Sequence, residues 1–145
     1  MVESHALRLA KAAAAVREDI CDFVIIKLDE QGYADISPAA LTFLGALDCG
    51  VNYGSEIARN LKVSRQMVAK MVREMSEAGY LQQTEGSGKQ KKIIFTRKGE
   101  RLMAEVRNIL LSLDSLLQQN TTETALKKTI RILEDMDKEL SARAL

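Results

Sequence analysis

Five positions in the stretch SRQMVAKMVRE, residues 64–74, have the types and the spacing to meet a nucleic acid. At 100° per residue, Arg65, Gln66, Ala69, Lys70 and Arg73 fall outside the sector that holds Met67, Val68, Met71, Val72, Met75 and Ala78. One helix face would pack and the other would be basic. A guanidinium can bond both acceptors of a guanine edge and a carboxamide can do the same for adenine, so Arg65 and Gln66 are candidates for base reading at the helix start. Ser64 reads as the N-cap, and the backbone N–H groups beside it can hold a phosphate. Further along, Lys89, Lys91 and Lys92 sit on or beside the glycine turn GSGKQ, from which a cation can drop toward the backbone or the minor groove of a duplex. A solvated charged face, or a lysine-blunted hairpin edge, is the ordinary reading of either group alone. Two adjacent groups of the same sign favour a nucleic acid over both.

The charge distribution agrees. Residues 59–101 hold eleven Lys and Arg against four Glu, a local +7, so the remainder carries −6 within a chain of net +1. A basic centre between acidic flanks is the footprint of a phosphate-binding site held by segments with another task.

Those segments are helical. Leu7, Ala10, Ala14, Phe23, Val24 and Leu28 predict one long helix from Val2 to about Glu30, stopped by QGY. Ser37 as N-cap and Pro38 at the first helical position open a second, which ends at Gly50. Ser55 is expected to cap a third over EIARNL, and Ser64 a fourth that stops at Gly79. Ile57, Ala58, Leu61, Val63, Val68 and Met71 have the apolar spacing of a helix-turn-helix, with small Ala58 at the crossing and Val63 in the turn. YLQQTE and KKIIFT flank GSGKQ as a β-hairpin, which completes a winged helix. Thr96 is expected to cap a helix through Gln118. Asn120 and Glu123 are at capping-box spacing before a last helix that runs to Leu145.

The expected fold is therefore mostly α, one domain over 1–145: a winged helix-turn-helix lobe at 36–101 with a small β-hairpin wing, and long N- and C-terminal helices at 1–34 and 102–145 forming a dimerisation region. Leu7, Ala10 and Ala14 at one end, and the seam Leu126, Ile130, Leu133 and Leu140 at the other, are too many apolar positions for a core shared with a small lobe. They are expected to pair across a two-fold axis, as a homodimer.

Several functions are excluded or disfavoured by composition. A single histidine, no glycine-rich phosphate loop and no fixed carboxylate motif leave an enzyme without machinery, and no cofactor or metal is expected. No apolar run approaches the roughly 18 residues that span a bilayer, and the N-terminus is too charged for a secretory signal, so a cytoplasmic protein with no membrane partner is expected. Cys21 and Cys49 share no pairing motif and are expected to be reduced core residues, with Asp19 and Asp22 raising the Cys21 thiol. Two alternatives stay open: a thiol-based redox-sensing regulator acting through Cys21 or Cys49, and a winged-helix module that binds protein. The latter would carry an apolar recognition face, which the sequence lacks.

SPAALTFLGAL, then GSEIARNLKVSRQMVAKMVREMSEAGYL, then a glycine-tipped wing ending IIFTRKGERL, between a long leading helix and a long helical tail, resembles the MarR family of winged-helix transcriptional regulators over nearly the full chain. That resemblance implies double-stranded DNA as partner, a homodimer built from the terminal helices, pseudo-palindromic operators and a ligand-responsive repressor. It also implies release by a small-molecule effector, often phenolic or anionic, held between dimerisation and DNA-binding lobes. The family's Asp-x-Arg pair in the wing falls here on Ser87 and Lys89, so Lys89 is the nearest substitute for the wing-tip arginine.

Overall fold

In the computed structural model, residues 4–143 are described. Helix α1 spans His5–Glu30, and Ser4 rather than a residue nearer the start caps it, accepting from the Leu7 N–H at 3.3 Å. Val2, the expected first residue of this helix, lies outside the described residues. Gly32 ends it at φ +93, a left-handed turn that needs no Cβ. Helix α2, Pro38–Asp48, is capped by Ser37 as expected, which accepts from Ala40 N–H at 3.1 Å.

Helix α3, Gly54–Leu61, departs from expectation at its start. Ser55 does not cap it: the N-cap is Tyr53, whose side chain makes no capping bond to the first turn, and Ser55 lies inside that turn with its hydroxyl donating to Gln90 Oε1 at 3.3 Å. The sequence signal was a capping residue type in the right neighbourhood. The helix starts two residues earlier than the capping letter implies, and the hydroxyl, now inside the first turn, gives its proton to a long-range acceptor. The turn into the next helix passes through Lys62 at φ 56 and ψ 44, where its N–H reaches the Ala58 and Arg59 carbonyls, and Val63 N–H bonds Ala58 O at 3.0 Å. Helix α4, Arg65–Glu77, then starts under Ser64, which accepts from Met67 N–H at 3.0 Å.

Strands β1, Leu81–Glu85, and β2, Lys91–Phe95, pair antiparallel with Leu81 opposite Phe95 and Glu85 opposite Lys91. Thr96 caps helix α5, Arg97–Leu117: its hydroxyl accepts from Gly99 N–H at 3.1 Å and donates to Gly79 O, which locks the hairpin exit to the end of α4. Helix α6 spans Glu123–Arg143, and residues 144–145, to which it was expected to run, lie outside the described residues. Its cap is Thr122, which accepts from Ala125 N–H at 3.1 Å, while Asn120 sends its own N–H back to Leu117 O. Both letters are good caps; the turn needs two residues after Asn120, and the later one wins.

The chain divides into two compact units after Ile109. In the first, Phe43 and Leu44 from α2, Ile57 from α3 and Leu102 and Met103 from α5 are at most 2% exposed and form the centre of the core. Of α1, only Val24 and Leu28 are buried, and Ala58 at the α3–α4 crossing is 6% exposed. The second unit holds the end of α5 and α6, and α6 buries no residue.

Candidate nucleic-acid interface

The apolar sector of α4 packs through Val68, Val72 and Met75, and this fixes the rotation of the helix. Arg65, Gln66, Ala69, Lys70 and Arg73 are all exposed on the opposite arc. Met67 departs from expectation: it was placed with the packing face, yet it is 51% exposed. At 200° from Arg65 it stands at the rim of the apolar sector, where the first turn outruns the core.

Between α4 and the hairpin runs an open groove of about 650 Å³, lined by Arg65, Ala69 and Arg73 on the helix side and by Gln90, Lys91 and Ile93 on the other. Gln66 and Lys70 do not line it; they face out along the far side of the same arc. The three wing lysines separate as well. Lys91 shares a strand face with buried Ile93, and Lys92 occupies the other face one residue on, as the period of 2 requires. Lys89 sits in the turn that Gly88 enters at φ +62 and that Gln90 N–H closes on Ser87 O at 3.2 Å. Lys70 pairs with Glu74 at 3.8 Å, both well exposed, a contact weak enough to exchange for a phosphate. Among the described residues, Arg65, Arg73, Lys89, Lys91 and Lys92 have no carboxylate partner within salt-bridge distance.

The wing is braced by residues that sequence reasoning did not single out. Ile93 N–H bonds Asn52 O at 2.8 Å, and Asn52 Nδ2 donates to Ile93 O at 3.2 Å. Tyr53 Oη accepts from Ser87 N–H at 3.2 Å. These partners are 34 and 41 positions apart, so no local pattern announces them. At the base of the wing, Tyr80 donates to Asp35 Oδ1 at 3.1 Å, and Lys98 Nζ lies 4.7 Å from the Tyr80 ring centre while bonding Ala78 O. Burial first, and the Asp35 charge second, push the Tyr80 hydroxyl up to about 12, so it remains a donor across the physiological range.

The positions expected to form a dimer are exposed. Leu7 is 55% accessible, with Ala10 and Ala14 open beside it on α1. On α6, Ile130, Leu133 and Leu140 are 51%, 38% and 68% accessible, and Leu126 is half-buried.

Cys49 corrects a second expectation, for it is exposed at the C-cap of α2 rather than in the core. Cys21 is half-buried; burial and then Asp22 push its thiol up, with Arg17 offsetting part of the rise, and Asp19 is not among the causes. A raised thiol is a poor nucleophile at neutral pH. Among the described residues no three His, Cys, Asp or Glu gather as metal ligands, and no helix is long and apolar enough to cross a membrane.

No protein-family model and no curated protein matches the sequence. Solved structures do. A MarR transcriptional regulator from Methanosarcina mazei Go1 superposes with a TM-score of 0.80 at 15% identity, over 99% of this chain and 95% of that one. A MarR-family transcriptional regulator from Rhodococcus sp. RHA1 gives 0.74 at 14% identity, over 93% and 96%. Wild-type MarR of E. coli in its apo form gives 0.69 at 14%, over 94% and 98%. At such identities the likeness is one of architecture, and the fold of this chain is that of the MarR family of transcriptional regulators.

Proposed function

We propose that the chain is a sequence-specific DNA-binding transcriptional regulator, acting in the cytoplasm as a homodimeric, ligand-responsive repressor on a pseudo-palindromic operator. The observation that carries this reading is the placement of Arg65, Gln66, Ala69, Lys70 and Arg73 on the exposed arc of α4, beside a groove whose far wall holds Lys91. A helix presented N-terminus first can enter a major groove, while the wing cations meet the flanking backbone. Apart from small Ala69 the exposed arc is polar, which disfavours a protein-binding module, and the chemistry asked of the site is binding alone.

One such helix covers only a few base pairs, so a second copy about one turn of DNA away is needed for a selective site. The exposed apolar seam of α6 and the open apolar positions of α1 each offer a surface to that copy. For the effector, a cavity of about 200 Å³ is lined by Phe43, Leu61, Val63, Met67 and Met71, with Arg17 as its one cation. A small apolar anion suits that lining, and Met67 and Met71 belong to the DNA-facing helix, so occupancy would bear on its position.

Fluorescence anisotropy on a labelled duplex, followed by selection of bound fragments from genomic DNA, tests the proposal. The affinity is expected to fall steeply with salt, each neutralised phosphate contributing about −0.9 to the log–log slope. Binding indifferent to ionic strength, or equal for all fragments, refutes it.

A further inference from the structure

We propose that Tyr53 is a positioning residue for the wing: its hydroxyl, accepting from the Ser87 N–H, holds the wing tip at the height from which Lys89 reaches DNA. This deepens the DNA-binding reading and rests on it.

Three observations converge on that hydroxyl. The Ser87 N–H is bound to Tyr53 Oη at 3.2 Å. Gly86, the preceding residue, is in contact with the ring: a Cβ built there would lie 2.6 Å from Gln90 O across the turn, 2.7 Å from Tyr53 Cε1 and 2.9 Å from the Tyr53 oxygen, distances that a side chain cannot occupy. Glycine at 86 thus serves the turn itself and also lets the ring lie against the hairpin. Thirdly, the segment that carries Tyr53 is itself anchored on both sides, by Asn52 to Ile93 through two bonds and by Ser55 to Gln90. A rigid strut therefore reaches from the start of α3 to the tip, while Lys89 lies only two residues beyond Ser87.

The two-stranded sheet ends at Glu85 and Lys91, so the turn between them has no ladder of its own beyond the Gln90 N–H to Ser87 O bond. An unbraced tip would sample many positions, and a cation there would lose conformational freedom on meeting a phosphate. The brace removes that cost before DNA arrives.

The test uses the full chain and three variants: Tyr53→Phe, Lys89→Ala and the double variant. Amide exchange in the free protein is expected to rise at Ser87 in Tyr53→Phe while Ile93, held by Asn52, remains protected. On duplex DNA, Tyr53→Phe is expected to weaken binding severalfold and to lower the salt slope. The double variant should bind no more weakly than Lys89→Ala alone, a non-additivity that a merely structural loss would not produce. Unchanged Ser87 exchange overturns the brace, and additive losses overturn its action through Lys89. A wild-type chain that binds no duplex at low salt refutes the DNA-binding reading and the Lys89 half of this one, and Ser87 exchange still decides the brace.

Discussion

Gly45→Ala and Gly99→Ala are the same chemical change on two helices, and they are expected to move stability in opposite directions. Gly45 lies inside α2, and a Cβ there would meet nothing within 4 Å. Alanine should therefore stabilise by up to about 1 kcal/mol, because glycine loses more backbone freedom on entering a helix. Gly99, in the first turn of α5, is hemmed in: the added Cβ would stand 2.1 Å from Tyr80 O and 3.0 Å from Phe95 Cδ1. The obstacle is backbone, and Tyr80 O also accepts the Thr96 N–H at 3.0 Å, so relief requires α5 to move by more than 1 Å off a bonded strand end. Overpacking of this kind costs about 1–3 kcal/mol, and loss of a buried hydrogen bond adds about 1 more. Less the roughly 1 kcal/mol of helix propensity, a net loss of about 2 kcal/mol remains. For a chain of this size that is a fall in Tm of about 4–8 °C, against a rise of about 2–4 °C for Gly45→Ala. Thermal unfolding at one fixed protein concentration reads both, since association would otherwise shift the midpoints. A Gly99→Ala variant as stable as wild type refutes the close approach of α5 to the hairpin.

Arg65→Ala or Gln66→Ala should narrow the affinity gap between operator and random DNA by about 1–3 kcal/mol each, whereas Lys92→Ala should weaken both alike; competition binding with the two duplexes distinguishes these outcomes. Leu133→Asp, which would place an unpaired charge on the α6 seam, is expected to yield a monomer or an unfolded chain that has lost operator binding; a folded monomer by sedimentation that still binds as tightly as wild type refutes the dimer argument. A limiting alkylating agent at neutral pH should label exposed Cys49 well before Cys21, whose thiol is pushed up by burial and Asp22, and peptide mass spectrometry showing the reverse order contradicts that environment.

Much of the fold was legible because its signals are local. Ser37 with Pro38, Ser64 and Thr96 each sit directly before an apolar period, and each caps the helix it was expected to cap. Ser55 and Asn120 failed for a related reason: where two capping residues compete, or where the helix starts early enough to draw the hydroxyl into its first turn, residue type no longer decides. The basic arc of α4 was readable from a 100° wheel, while Met67 was not, because exposure at a helix start depends on how far the neighbouring helices extend. The separation of Lys91 from Lys92 follows from strand alternation and could have been drawn from KKIIF alone. The brace from Asn52, Tyr53 and Ser55 was beyond reach, since it exists only once the α2–α3 turn and the hairpin have met.

Lys62 has a consequence for how this sequence would drift. A left-handed backbone costs a side-chain-bearing residue about 1–2 kcal/mol that glycine is spared, and Lys62 adopts it at the turn between α3 and α4. A library of variants sorted for thermal survival should therefore enrich glycine at position 62, whose backbone conformation it adopts without that cost. Persistence of lysine through such a sort would mean that something other than the folded chain's own stability holds the letter in place.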